Sequence, residues 1–247
     1  GPSPAYLQIA GKPGLPVQFA EHGLDLNIGW ATWGASAWTP VLADFDHDGQ
    51  DDVLLGVAVN MTAEKLLAFV TSCGSSMGSS GTNPFDGEMS TDLLFLHGPG
   101  PGLTPFALPP GLFAHGLYLD QKVIDIDGDG DLDVVQTRPG PGMKPVARVR
   151  ILRNDLPKLG GSILVVLDGK GGNRDALGAV VTANICGVVR TRWLNGSGSF
   201  GGTPTRFAHF GLGAATKATD VTVTWPDGTK TLLGDIADGE TKKAKWL

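Results

Sequence analysis

Short apolar runs separated by turn-forming residues make up most of the chain. Runs such as Val41–Ala43 and Val53–Leu55 are rich in the branched aliphatic residues that favour strands, and long helical patterns are missing from the sequence. Glycine (37 residues) and proline (17 residues) are frequent among the 247 residues. Both residue types are typical of tight turns. The pattern therefore predicts an all-β fold.

Two acidic segments interrupt these runs, and each is bracketed by a pair of predicted strands. Val41–Ala43 and Val53–Leu55 flank the first segment, and Val123–Ile124 and Val134–Val135 flank the second. Both segments carry aspartate at loop positions 1, 3, 5 and 9 and glycine at position 6. We expect each to be a loop that joins two strands.

Alternating carboxylates around a tight glycine turn match the needs of Ca²⁺, which takes six to eight oxygen ligands. Mg²⁺ fits less well, because it uses few protein ligands and keeps its water. Position 7 offers a backbone carbonyl. The predicted ligands of two Ca²⁺ ions are Asp44, Asp46, Asp48, Gln50 and Asp52 in loop one, and Asp125, Asp127, Asp129, Asp131 and Asp133 in loop two. At position 4 of loop one, His47 is expected to point outward and to have no ligand role.

The loops differ from an EF-hand at their ends. An EF-hand closes with a bidentate glutamate at position 12 and lies between helices. Position 12 is Leu55 in loop one and Gln136 in loop two, and the flanking runs are strands. We therefore expect the ions to stabilise a repeat rather than to act as a calcium sensor.

The spacing behind the loops predicts the domain organisation. An apolar strand begins 41 residues after Asp52 but only 16 residues after Asp133, so the first repeat carries 25 extra residues. We predict an N-terminal tail over residues 1–16 that opens like the remnant of a cleaved tag, two repeats over 17–157 with an insertion near 60–90, and a small antiparallel β-sandwich or barrel over 158–247.

The repeats resemble FG-GAP/VCBS repeats, the calcium-loop blades of β-propellers. The C-terminal part resembles the ASPIC/UnbV domain, through Gly172–Ala179, His209–Gly213 (HFGLG) and Val223–Gly228 (VTWPDG). The two resemblances together cover roughly residues 17–245. A chain that combines them is similar to the cartilage acidic protein family. That family implies an extracellular, calcium-binding and adhesive protein without established catalysis. A closed propeller needs about four to eight blades, so two blade-like repeats are expected to stay unclosed.

Charge and hydropathy argue against two classes of binding partner, nucleic acid and membrane. The net charge is −6 and no cluster of lysine and arginine forms a basic face, which argues against nucleic acid. No apolar run approaches the roughly 18 residues of a membrane span. Trp30, Trp33 and Trp38 could form a ligand or partner surface or lie in the core. Cys73 and Cys186 could form a disulfide or remain thiols.

These features favour a secreted calcium-binding adhesion or interaction module that is not an enzyme. Its partner would be an extracellular protein or carbohydrate. The alternatives are a polysaccharide-acting enzyme or its accessory carbohydrate-binding domain, and a structural assembly subunit. Catalysis by the loop carboxylates is disfavoured, because acids that share a metal are held ionised and a general acid must carry a proton.

Overall fold

The computed structural model describes residues 6–9, 18–21, 36–58, 90–98, 103–106, 120–138, 148–196 and 205–247. Within these ranges all regular secondary structure is β-strand, and the strands form several sheets that are not closed into a barrel. The all-β prediction is therefore confirmed. These ranges contain no helix that is long and apolar enough to cross a membrane.

Three small sheets precede the C-terminal part. Their strands are β1 (Tyr6–Ile9), β2 (Gln18–Glu21), β3 (Ser36–Ala43), β4 (Asp52–Ala58), β5 (Ser90–His97), β6 (Leu103–Phe106), β7 (Asp120–Ile124), β8 (Asp133–Arg138) and β9 (Arg148–Leu152). The sheet orders are β1-β2, β3-β4-β5-β6 and β7-β8-β9. Each acidic loop connects the first two strands of its sheet, as the flanking apolar runs predict.

The C-terminal part contains two sheets. Their strands are β10 (Gly161–Asp168), β11 (Val180–Ile185), β12 (Val188–Trp193), β13 (Phe207–Gly213), β14 (Lys217–Thr224), β15 (Lys230–Ala237) and β16 (Thr241–Lys245). One sheet has the order β13-β10-β16 and the other β12-β11-β14-β15. Pairing is antiparallel except between β10 and β16, which run parallel.

One apolar core joins these two sheets. Along β10 and β11 buried and partly exposed residues alternate, as expected when one face of a strand is covered. The core includes Ile163 and Phe210 from the first sheet and Val181 and Val223 from the second. The sheets therefore form a sandwich. The segment Trp225–Gly228 (WPDG) forms the hairpin turn between β14 and β15, with Gly228 at φ 83°.

The chain divides into two compact units. The first comprises residues 1–40, 53–119 and 137–149, and the second comprises 41–52, 120–136 and 150–247. Both acidic loops thus belong to the same unit as the C-terminal sandwich. Residues 59–89 lie outside the described ranges, so the insertion near 60–90 stays a prediction, as do the predicted domain bounds.

Candidate metal centres

Loop one brings three of its predicted ligands together. Asp44, Asp46 and Asp48 each offer an oxygen, and these oxygens lie within 4.8 Å of one another. Asp52 is fully buried and accepts a hydrogen bond of 2.8 Å from the backbone N–H of Phe45, so it closes the loop. The three grouped carboxylates could hold a metal ion.

Loop two forms a similar cluster from a slightly different set. Asp125, Asp127 and Asp133 offer oxygens within 4.8 Å of one another. Asp129 accepts a hydrogen bond of 2.9 Å from the N–H of Asp131 and is outside this cluster. This second group of carboxylates could also hold a metal ion.

The loops share three backbone hydrogen bonds at equivalent positions. The position 1 carboxylate accepts from the N–H of the position 6 glycine, at 2.9 Å in loop one and 3.1 Å in loop two. The position 5 carboxylate accepts from the N–H of position 7, at 2.7 and 2.9 Å. The position 9 carboxylate accepts from the N–H of position 2, at 2.8 and 2.9 Å. The sequence repeat is therefore also a repeat of local geometry.

Position 7 differs between the loops in its side chain. The Gln50 amide donates to Asp48 Oδ2 at 3.3 Å. The Asp131 carboxylate instead lies 2.8 Å from Lys158 Nζ and 3.4 Å from His47 Nε2. Because both side chains have other partners, the backbone carbonyl is the group at position 7 that remains suited to a cation.

The surroundings of loop one make a bound cation favourable. Asp44 is only 1% exposed, and its Oδ1 atom has no hydrogen-bond partner among the described residues. Burial, followed by the nearby carboxylates of Asp48 and Asp52, raises the pKa of Asp44 to about 7. A buried carboxylate oxygen without a partner is costly. A divalent cation at this point would satisfy that oxygen and remove the repulsion.

His47 corrects one expectation from the sequence. Its side chain does not point outward to solvent, since the residue is only 3% exposed. Its ring lies 5.1 Å from the ring of His209, and its backbone has φ 63°. The outer side of loop one is covered by loop two and the C-terminal sandwich, which explains the burial. This burial lowers the pKa of His47 below its ordinary value.

Strand β13 supplies much of this cover through the HFGLG segment. A Cβ on Gly211 would overlap the Asp44 carboxylate, so only glycine allows this approach. The N–H of Gly213 donates to the carbonyl of His47 at 2.9 Å. His209 Nε2 lies 3.3 Å from the carbonyl of Gly130 in loop two. One segment of the sandwich therefore contacts both acidic loops.

The connecting segment, residues 153–160 between β9 and β10, adds contacts that the sequence pattern did not reveal. The N–H of Leu159 donates to the carbonyl of Asp46 at 2.7 Å. The side chain of Asn154 donates to the carbonyl of Phe45 at 2.9 Å. Asn154 and Lys158 resemble ordinary polar loop residues, and no local signal in the sequence distinguishes them.

A polar cleft of about 270 Å³ lies beside loop two. Its lining includes Asp129, Lys158, Asp238 and Glu240, together with His47. Loop two is the more open of the two sites, because Asp127 and Asp129 are exposed whereas Asp44 and Asp46 are buried.

The remaining predicted site residues lie apart from these loops or outside the described ranges. Trp30, Trp33 and Cys73 are outside those ranges, and Trp38 lies in strand β3. Cys186 is exposed at φ 51° in the turn between β11 and β12. The tryptophan surface and the disulfide stay predictions.

Comparison with protein families supports the C-terminal assignment. Residues 169–244 match the model of the family "ASPIC and UnbV". The C-terminal sandwich is an ASPIC/UnbV-type domain. All three quoted motifs, Gly172–Ala179, HFGLG and VTWPDG, lie within the match. A comparison with curated proteins finds no match.

Proposed function

We propose that this chain is a secreted calcium-binding module for adhesion or interaction, in which two Ca²⁺ ions stabilise FG-GAP/VCBS-type repeats. We propose no catalytic activity for it. The observation that carries the calcium proposal is the buried Oδ1 atom of Asp44, which lacks a hydrogen-bond partner among the described residues and lies in a group of three carboxylates. The second acidic loop, with equivalent internal hydrogen bonds, supports a second ion.

The chemistry of the donors favours Ca²⁺ over other ions. Carboxylate and carbonyl oxygens are hard ligands, and the two clusters contain neither cysteine nor histidine, which transition metals prefer. Loop two is partly open to solvent, so water can complete its coordination. When bound, the ion supplies positive charge that holds the loop carboxylates in one arrangement. A micromolar site at millimolar Ca²⁺ would stabilise the fold by about 4 kcal/mol.

The resemblance to the cartilage acidic protein family supports the extracellular location. Extracellular fluid supplies millimolar Ca²⁺, which would saturate sites of micromolar affinity. The ASPIC/UnbV-type domain fits an extracellular type of module, and the exposed acidic loop two is compatible with contact to an extracellular partner.

Isothermal titration calorimetry of the chelator-treated chain tests the calcium proposal. We expect two equivalents of Ca²⁺ to bind and Mg²⁺ to bind more weakly. Asp44→Asn should remove one equivalent, because it takes the charge from the buried ligand. Asp51→Asn is the matched control, since Asp51 is in the same loop but pairs with Arg192 at 2.6 Å. Two equivalents in the Asp44→Asn variant would contradict the assignment of loop one.

A further inference from the structure

Asn154 in the connecting segment contacts both acidic loops. Its backbone N–H donates to Asp133 Oδ1 at 2.8 Å, and Asp133 occupies position 9 of loop two. Its side-chain Nδ2 donates to the carbonyl of Phe45 at 2.9 Å, and Phe45 occupies position 2 of loop one. Asn154 is 8% exposed, so water competes little for these hydrogen bonds.

Lys158 in the same segment makes a second connection between the loops. Its Nζ atom lies 2.8 Å from Asp131 Oδ2 in loop two and donates to the carbonyl of Phe45 at 3.3 Å. Phe45 lies between the proposed ligands Asp44 and Asp46. A shift in either loop therefore changes the position of the same ammonium group.

His47 makes a third connection directly from loop one. Its Nε2 atom lies 3.4 Å from Asp131 Oδ1 in loop two. The backbone of His47 has φ 63°, a conformation that costs free energy in any residue with a side chain. Loop two has Gly128 at the same position, with φ 81°. The imidazole is thus not needed for the turn itself, and its contact is with the other loop.

We propose that the two cation sites bind cooperatively, because Asn154, Lys158 and His47 transmit the ordering of one acidic loop to the other. The inference rests on the proposed function, namely that the loops bind Ca²⁺. The first ion to bind orders its own loop and, through these three residues, part of the other loop. The second ion then binds to a loop that is already partly ordered, so its binding loses less conformational entropy.

Repulsion between the two cations opposes this effect but does not dominate it. Loop one carries four carboxylates at its ligand positions, namely Asp44, Asp46, Asp48 and Asp52. A divalent ion therefore leaves the loop with a net negative charge. The same holds for loop two, so a loaded loop does not present a positive charge to its neighbour.

A thermodynamic cycle on the full chain tests the coupling. Loop one is silenced by Asp46→Asn with Asp48→Asn, and the Ca²⁺ affinity of loop two is measured by calorimetry with and without that change. We expect the affinity of loop two to fall on the order of tenfold, within the range of typical coupling between sites. In a chain that also carries His47→Gly and Lys158→Met, the fall should be clearly smaller, because Asn154 is then the one of the three connections that remains. Glycine suits the φ of position 47, as in loop two.

The reverse experiment follows from linkage, because coupling between two binding sites is reciprocal. Silencing loop two by Asp127→Asn with Asp129→Asn should weaken loop one by the same factor. Lys217→Met is the matched control, since Lys217 pairs with Asp235 at 2.6 Å on an exposed surface away from the loops. That variant should leave the coupling unchanged.

The outcomes separate the coupling from the calcium sites themselves. If the natural chain shows no saturable Ca²⁺ binding, the proposed function is wrong. If it binds two ions but silencing one loop leaves the other affinity unchanged, the coupling alone is rejected. Should the silenced chains fail to fold, the intact chain is compared with the His47→Gly, Lys158→Met chain. A Hill coefficient above 1 in the natural chain that falls when these two connections are removed supports the coupling, and an equal coefficient in the two chains rejects it.

Discussion

The two acidic loops have the same internal hydrogen bonds but different surroundings. In loop one the carboxylates of Asp44 and Asp46 are almost completely buried, whereas in loop two Asp127 and Asp129 are exposed. Carboxylates repel one another far more strongly in a buried environment than in water. One sequence pattern therefore occurs in two different environments, and tertiary burial determines how strongly the carboxylates of each loop repel one another.

Removal of Ca²⁺ should have the largest effect. Because a micromolar site at millimolar Ca²⁺ contributes about 4 kcal/mol, chelation should lower Tm by roughly 8–16 °C per site for a chain of this size. Differential scanning calorimetry with and without chelator measures this shift. An unchanged Tm would mean that cations do not stabilise the fold.

Hydrogen exchange in the same chelated sample distinguishes the loops. We expect the amides of Gly49 and Gln50 in loop one to lose more protection than those of Gly130 and Asp131 in loop two, because the buried carboxylates repel more strongly. An equal loss of amide protection in both loops would show that burial of the carboxylates does not determine how strongly a loop is destabilised without a cation.

The close contact between β13 and loop one gives the next largest effect. Gly211→Ala places a methyl group on the buried Asp44 carboxylate, so we expect it to destabilise the fold by about 1–3 kcal/mol. Urea unfolding at saturating Ca²⁺ measures the loss. Gly172→Ala is the control, since a Cβ there meets no atom within 4 Å and the change should stay within about 0.5 kcal/mol. Equal stability of the two variants would mean that β13 does not pack closely enough against loop one for a methyl group at position 211 to clash.

His209, which touches both loops, should make stability depend on pH. Burial, followed by the positive potential from His47 and Arg192, lowers the pKa of His209 to about 3, from 6.5 in the unfolded chain; Lys158 also faces it with the same sign. As pH falls, the unfolded chain takes up this proton first. The stability is therefore complete above pH 6.5 and is lost by about 1.4 kcal/mol per unit between pH 6.5 and 3.

The substitution His209→Gln should remove this component of the pH dependence. Urea unfolding at pH 7.5 and pH 5.5 measures it, and the difference between the variant and the natural chain isolates His209 from the carboxylates. If both proteins lose the same stability between these pH values, the imidazole is not held in a dry environment by the two loops.

At position 8 the loops differ in chemistry, and Asp51→Ala at this position has the smallest expected effect. Loop one has Asp51, whose partly exposed carboxylate pairs with Arg192 at 2.6 Å, and loop two has the buried Leu132. Asp51→Ala should cost less than about 1 kcal/mol because solvent screens the pair. Leu132→Ala should cost about 2–5 kcal/mol, as expected for a buried leucine. Thermal unfolding of both variants compares the two values, and a larger loss from Asp51→Ala would reverse our interpretation.

Local pattern was sufficient to predict the two loops and the strands that flank them. The spacing of Asp44, Asp46 and Asp48 and the apolar runs around them depend only on neighbouring residues, and the structure places these carboxylates together. The strand β16 was not predicted, because Thr241–Lys245 is mostly polar and pairs at the edge of its sheet. Its parallel pairing with β10 depends on residues far away in the chain.

The contacts around the loops could not be predicted in the same way. The hydrogen bond from Asn154 to Phe45 spans 109 residues, and that from Lys158 to Phe45 spans 113. The burial of His47 follows from the approach of β13 and loop two, which no neighbour of His47 encodes. The pattern predicts that position 4 of the loop is not a ligand position, but the environment of His47 depends on tertiary structure.

The contact between Gly211 and Asp44 also has a consequence for the order of folding. The two residues are separated by most of the chain, and contacts of such long range form slowly, after local structure. The chain is synthesised from its N-terminus at roughly 5–20 residues per second. Loop one is therefore without β13 for on the order of ten seconds. During that interval the Asp44 carboxylate is hydrated and ionised. Capture of a cation can therefore precede burial, and the late arrival of β13 would then close over a loop that is already loaded.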